Sequence, residues 1–298
     1  MLEYTVSTDD HCRRVDSRLY SLLPAASPSY IRKLTKSGAC RVNSQKGSPD
    51  ALLRYGDIPT LKESGGVTSF LSSRKPPFDI LWQDDRFLAI NKPAGLAMHP
   101  AAEVADNLAD IVSEWLQQRS GHQCRAYPVN RLDRGTSGAV LLATSSTGAG
   151  MLGRQVKEEG LDKLYLAVVE GALEGEGEID EPLAGKESVT RYRTLSSGSG
   201  FSFVMLEPVT GRTHQIRRHL SFIGNPVAGD KRYGATALPS LPGIALHSFR
   251  TILKNPASGA AITLTAPVPV DMFGLIQERC NLTEQELLNL LWNIATHK

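Results

Sequence analysis

The chain has 298 residues, a formal net charge of +2 and four widely separated cysteines. This length predicts one large domain with a smaller appendage. The sequence lacks a run of roughly 18–20 apolar residues, as a membrane span needs, and a basic-then-apolar leader, so we expect a cytoplasmic protein. Without a C-x-x-C pair, the cysteines indicate reduced thiols rather than a disulfide framework or a structural metal site.

Positive charge is concentrated near the N-terminus. Between His11 and Lys62 the sequence contains ten basic and three acidic residues, so the rest of the chain carries a net negative charge. Such a segment is suited to binding a polyanion. The alternative is a solvated basic face that has no partner.

The basic segment also has a recognisable order of elements. Short helices are predicted around residues 17–23 and over 28–34, and Gly38 ends the second before a strand at 40–43. This order resembles a small α/β RNA-binding module found in one ribosomal small-subunit protein, in bacterial tyrosyl-tRNA synthetases and at the front of many RNA-modifying enzymes. The resemblance implies that four basic side chains contact RNA. They are Arg32, Lys33, Lys36 and Arg41.

Domain boundaries follow from changes in composition. We assign residues 11–64 to the RNA-binding module and residues 65–76, which are polar and rich in turn-forming residues, to a linker. Residues 77–298 form the large domain. The linker prediction rests mainly on Gly65-Gly66 and on the Ser, Arg, Lys and Pro residues before residue 78.

In the large domain, strands and helices do not alternate regularly. Strands are predicted at residues 80–82, 87–90, 139–143, 164–169, 189–194 and 201–206. Asp106 is a candidate cap for an amphipathic helix that follows it, and Thr283 and Glu286 form a capping box before a terminal helix. This order favours an α+β domain around a mixed, largely antiparallel sheet.

A glycine-rich run at residues 148–153 matches the pattern G-x-G-x-x-G and follows a strand. The match allows a dinucleotide site. However, residues 144–147 separate the strand from the first glycine, and Gly160 ends the following helix early. We therefore interpret the glycines as one small-residue face of a helix.

The run at residues 130–138 reads NRLDRGTSG and leads directly into the predicted strand at 139–143. It places Asp133 between two arginines, just before a turn anchored to a sheet, which is a suitable position for a catalytic acid. The alternative is an ordinary turn residue whose carboxylate bonds nearby backbone amides.

A second polar cluster lies at residues 209–220, where the sequence is VTGRTHQIRRHL. Ile216 and Leu220 share one helical face, and Arg217 lies at the edge of this buried stripe. A guanidinium in that position favours an anionic partner. The alternative is a basic helix with Arg217 in water.

Five motifs occur in order between residues 78 and 256. They are NKPAGLAMHP, NRLDRGTSGAVLLA, DKLYLAVVEG, TGRTHQIRRHLSFIGNPVAGDKRYG and ALHS. This series resembles the RluA-type family of RNA pseudouridine synthases. The resemblance implies an α+β catalytic domain with a mixed sheet and a central cleft. It also implies isomerisation of uridine to pseudouridine in structured RNA, without a cofactor or metal.

The resemblance also implies residue roles. Asp133 matches the essential aspartate of the family, and Arg217 matches the arginine that pairs with it. Tyr165 matches the tyrosine that stacks on the target uracil, and Arg131 matches the arginine that helps displace the target nucleotide. Four further residues fall in the motifs and are assigned to substrate binding: Asn130, where the family most often has His, Lys163, Arg212 and His214.

Several alternatives remain open from the sequence. Asp133 can act as a base at the ribose 2′ position or as a nucleophile at the sugar or the base. The substrate is rRNA or tRNA, with rRNA favoured, and we expect a monomer. Competing hypotheses are a non-catalytic RNA-binding or ribosome-assembly protein on the same scaffold, and a nicotinamide-dependent enzyme that uses the glycine run.

Overall fold

A computed structural model of the chain describes residues 1–100, 106–256 and 259–297, so Lys298, the predicted end of the large domain, lies outside the described residues. The helices are α1 (Val15–Leu22), α2 (Pro28–Lys36), α3 (Gly65–Leu71), α4 (Leu108–Ser120), α5 (Ser146–Glu159), α6 (Gln215–Phe222), α7 (Val270–Arg279) and α8 (Glu284–Thr296). The strands are β1 (Leu2–Glu3), β2 (Cys40–Val42), β3 (Gln45–Lys46), β4 (Pro59–Leu61), β5 (Asp79–Gln83), β6 (Phe87–Lys92), β7 (Tyr127–Pro128), β8 (Ser137–Ala143), β9 (Asp162–Glu170), β10 (Glu176–Asp180), β11 (Val189–Gly198), β12 (Phe201–Pro208), β13 (Leu246–Lys254) and β14 (Ala261–Thr265).

The large sheet has ten strands in the order β10-β11-β12-β9-β13-β8-β6-β5, with β14 beside β13 and β7 beside β8. Within the described residues, β8 and β13 form its one parallel pair. The predicted α+β class and the mixed, largely antiparallel sheet are therefore confirmed. None of the helices in the described ranges is long and apolar enough to cross a membrane.

The N-terminal ends of two helices, α8 and α4, can be compared with the capping residues predicted from the sequence. The capping box before α8 forms as predicted, with the Thr283 hydroxyl accepting from the Glu286 amide and the Glu286 carboxylate accepting from the Thr283 amide. At α4 the cap is Asn107, whose side-chain oxygen accepts from the Asp110 amide at 3.1 Å. The prediction of Asp106 as cap was wrong by one residue, because Asn107 takes the extended conformation that a cap requires.

The glycine-rich run lies in α5, as the small-residue interpretation predicted. The strand β9 is antiparallel to β13, which is parallel to β8, so β9 runs opposite to β8. A dinucleotide-binding βαβ unit needs two parallel strands. The helix α5 therefore connects the wrong kind of strand pair for such a site.

The N-terminal unit contains a four-stranded antiparallel sheet in the order β1-β4-β2-β3. Its first strand precedes residue 11, where the sequence placed the start of the module. The segment predicted as a linker is partly helical, because Ser64 caps α3 and Val67 is fully buried. The observed unit thus extends beyond residues 11–64 at both ends.

The N-terminal unit packs against β5, the last strand of the large sheet. From α1, the Ser17 hydroxyl donates to the Ile80 carbonyl at 2.7 Å and the Tyr20 hydroxyl donates to the Gln83 carbonyl at 3.2 Å. At a separate point, Nε2 of His11 donates to the Leu288 carbonyl in α8 at 2.8 Å. The two hydrogen bonds from α1 give backbone carbonyls of the edge strand β5 defined partners.

Part of the basic segment is buried at this interface. Arg13 forms ion pairs with Asp10 and Asp79, and Arg14 holds Asp16 through two hydrogen bonds of 2.9 and 2.7 Å. These arginines are therefore not free to bind a polyanion. The predicted RNA contacts Arg32, Lys33, Lys36 and Arg41 are exposed.

Candidate active site

The loop that carries Asp133 is anchored where β8 begins. Gly138 has φ +114°, and a Cβ added there would lie 2.3 Å from the Ser248 carbonyl oxygen of β13. Only glycine allows this approach, in which Ser137 and Gly138 align with His247 and Ser248 in the parallel pair. The Gly-Thr-Ser-Gly turn thus fixes the loop to the centre of the sheet.

A buried lysine supports the same loop from β6. The Lys92 side chain is fully buried, and its ammonium donates to the carbonyls of Pro93 and Leu96 at 2.9 Å each and of Arg134 at 3.3 Å. Burial lowers the Lys92 pKa to about 8, although the negative charge of Asp133 acts in the opposite direction. Lys92 therefore links the first motif to the Asp133 loop.

Two carboxylates share one guanidinium in the cleft. Nη1 of Arg217 donates to Oδ2 of Asp133 at 2.9 Å. On its other edge, Nε and Nη2 donate to the two oxygens of Asp230 at 2.6 and 2.9 Å. The alternative of Arg217 in water is wrong, because the first turn of α6 directs this side chain into the protein between two anions.

His214 lies on the other side of Asp133. Its φ of +56° is unusual for a residue other than glycine. Nδ1 is hydrogen-bonded to the Tyr233 hydroxyl at 2.8 Å, and Nε2 lies 3.6 Å from Oδ1 of Asp133. Burial lowers the His214 pKa; Asp133 opposes this shift and Arg217 reinforces it. The lowered pKa favours the neutral form of the imidazole.

Tyr165 and Lys163 project from β9 on the same side of the sheet, because they are two residues apart. Tyr165 is buried, which raises its pKa to about 12, with a smaller contribution from Asp133 in the same direction. Burial lowers the pKa of Lys163. The Tyr165 phenol thus stays protonated at pH 7 and presents a neutral ring.

The predicted catalytic and substrate-binding residues all line one cleft of about 520 Å³. They are Asn130, Arg131, Asp133, Lys163, Tyr165, Arg212, His214 and Arg217. The Arg131 side chain is exposed at this cleft. Nε of Arg212 donates a hydrogen bond to the Glu187 carbonyl at 3.1 Å. Oδ1 of Asn130 accepts a hydrogen bond from the Leu141 amide of β8 at 2.7 Å, so the Asn130 side chain stabilises this strand.

Sequence reasoning missed three residues of this site: Lys92, Asp230 and Tyr233. Each lies in a quoted motif, but none was given a role. The available signal for Asp230 was a single acid between Gly229 and two basic residues. The Tyr233 ring also packs against the Arg217 guanidinium, whose carbon lies 4.8 Å from the ring centre.

Comparison with known proteins identifies the family. Residues 86–222 match the family described as RNA pseudouridylate synthase. Ribosomal large subunit pseudouridine synthase D of Nitrosomonas europaea is 32% identical, and the match covers 94% of this chain and 88% of that protein. The chain belongs to the RluA-type family of RNA pseudouridine synthases. It is therefore an isomerase that acts on RNA, and the non-catalytic hypothesis is not supported.

Two further similar proteins support the assignment of this synthase to the family. Ribosomal large subunit pseudouridine synthase C of Escherichia coli is 30% identical, over 93% of this chain and 96% of that protein. The fold resembles that of human RNA pseudouridylate synthase domain containing 4, with a TM-score of 0.56 and 24% identity over 66% of this chain and 91% of that one. The structural likeness confirms the fold of the catalytic domain.

Proposed function

We propose that this synthase isomerises uridine in large-subunit ribosomal RNA and that Asp133 supplies the reacting carboxylate. The substrate follows the names of the two bacterial relatives, which are ribosomal large subunit pseudouridine synthases. The observation that carries the assignment of Asp133 is its 2.9 Å contact with the buried Arg217 inside the cleft. A carboxylate that accepts a hydrogen bond from a buried guanidinium is fixed in place.

The reaction conserves atoms. The bond between N1 of uracil and C1′ of ribose breaks, the base turns, and a bond forms between C5 and C1′. The proton on C5 leaves and N1 gains one. A single carboxylate starts this sequence, either by removing a ribose 2′ proton or by adding to the sugar or the base, and all three routes use Asp133.

Access to the target requires the nucleotide to leave its helix, at a cost of a few kcal/mol. In our proposal the neutral ring of Tyr165 stacks on the extruded uracil, which contributes about 1–3 kcal/mol. The exposed Arg131 occupies the vacated position in the RNA. Lys163, Arg212, His214 and Asn130 complete the substrate contacts.

We also propose that the N-terminal unit binds RNA phosphates. We assign this unit to residues 11–64, followed by a linker at 65–76 and the catalytic domain at 77–298. Its four exposed basic side chains support this role: Arg32, Lys33, Lys36 and Arg41. The four unpaired cysteines fit a cytoplasmic enzyme, and we expect it to act as a monomer.

Replacing these four side chains by glutamine is expected to weaken RNA binding and to leave kcat unchanged. Each lost phosphate contact removes roughly 0.7–0.9 from the slope of log affinity against log salt concentration. Filter binding at several salt concentrations measures this slope. Arg191→Gln with Lys254→Gln is the control, since both residues are exposed on the large domain and already ion-paired. An equal change of slope in the control would contradict the proposed RNA surface.

Pseudouridine mapping of total RNA tests the substrate. We expect cells lacking the gene to lose pseudouridine at one or a few uridines of large-subunit rRNA, and the wild-type gene to restore it. The Asp133→Asn gene is the matched control and is expected to restore nothing. Loss confined to tRNA would contradict the proposed substrate while leaving the activity intact.

A further inference from the structure

The geometry around Arg217 divides its donors unequally between two acids. Asp230 takes the side-on edge, formed by Nε and Nη2, and Asp133 receives only Nη1. Asp230 is 2% exposed, so its carboxylate has no room to turn towards solvent. Arg217 thus gives two hydrogen bonds to Asp230 and one to Asp133.

The two oxygens of Asp133 consequently differ. Oδ2 accepts the Arg217 hydrogen bond, whereas no side-chain or backbone donor of the described residues lies within hydrogen-bond distance of Oδ1. Nε2 of His214 lies 3.6 Å from Oδ1. The Oδ1 atom thus keeps its lone pairs available on the side of the cleft.

We propose that Asp230 is a positioning residue for the isomerisation: it holds the side-on edge of Arg217, so that Arg217 orients Asp133 through one oxygen and leaves Oδ1 free for the substrate. This inference rests on the proposed role of Asp133. Without the Asp230 carboxylate, Arg217 turns its paired donors towards Asp133 and occupies both oxygens.

The backbone around Asp230 is built to keep this carboxylate in place. Its amide donates to the Val227 carbonyl at 2.9 Å, and its carbonyl accepts from the amides of Tyr233 and Ala235 at 3.0 and 3.1 Å. The Tyr233 ring then covers one face of the Arg217 guanidinium. Arg217 is thus constrained both at its edge and on its face.

Steady-state kinetics give the proposal a distinctive readout. A residue that acts only by orienting Asp133 changes kcat and leaves KM as it is. A residue that only stabilises the fold changes the amount of folded enzyme and leaves both constants of that folded enzyme unchanged.

The test compares Asp230→Asn with the wild-type enzyme in single-turnover and steady-state assays on the mapped rRNA substrate. We expect kcat to fall by about 10- to 100-fold, as for a small misplacement of a reacting group, with KM unchanged. An unchanged kcat would overturn the role of Asp230. A wild-type enzyme inactive on every RNA would instead overturn the proposed function.

A matched control separates positioning from folding. Asp16 is another buried acid, and Arg14 holds it side-on through Nε and Nη2 as Arg217 holds Asp230, but it lies in the N-terminal unit. Asp16→Asn is expected to reduce stability and to keep the wild-type kcat and KM. If Asp230→Asn does not fold, Asp230→Glu serves: a lower kcat with an unchanged KM supports the proposal, and an unchanged kcat overturns it.

Discussion

The Asp133→Asn variant is expected to lose pseudouridine formation by about 10⁴-fold or more, the scale seen when a reacting group is removed from an enzyme. An amide is neither a base nor a nucleophile here, whereas its shape keeps the loop between β7 and β8 intact. The Asp133 side chain is 27% exposed, so the change costs little stability. Product formation is measured in single turnover, and RNA affinity is measured separately.

The control for this experiment is Asp85→Asn, which removes an exposed carboxylate from the turn between β5 and β6. We expect this variant to retain full activity. Both variants should bind substrate RNA as tightly as the wild-type enzyme. Full product formation by Asp133→Asn would show that another group carries the reaction.

The Arg217→Met variant is expected to lose about 3–5 kcal/mol of unfolding free energy, the usual cost of removing one partner from a buried ion pair. Methionine leaves the Asp230 carboxylate buried without its two hydrogen bonds. The loss is measured by urea unfolding.

Two companion variants test this explanation. Arg217→Lys keeps the charge but loses the planar side-on contact, so it should recover only part of the stability. Adding Asp230→Asn to Arg217→Met removes the stranded charge and should restore more of it. A stability of Arg217→Met equal to that of the wild-type enzyme at pH 7 would refute the buried ion pair.

Much of the fold could be predicted from local patterns. The apolar run at residues 139–143 is the end of β8, and the capping box before residue 284 starts α8, because period and capping act over only a few residues. The ordered motifs likewise predicted that Asp133, Tyr165 and Arg217 share a cleft. The structure places all three there.

The sequence did not reveal which residues distant along the chain contact one another. Arg13, Arg14 and Arg32 are all basic residues of one segment, yet the first two are buried in ion pairs and the third is exposed. Likewise, the contact of Lys92 with the Arg134 carbonyl joins residues 42 positions apart. Such partners are set by how the sheet brings distant loops together, and no local pattern encodes them.

The docking of α1 on β5 has a consequence for target choice. Hydrogen bonds from Ser17 and His11 join the N-terminal unit to the catalytic domain at two separate points. For the RNA contacts that we propose, we expect a uridine to reach Asp133 only when its distance from the bound RNA helix matches the distance between Asp133 and the basic side chains of the N-terminal unit. The target uridine is then selected by its distance from the bound RNA helix as well as by the contacts of its base in the cleft.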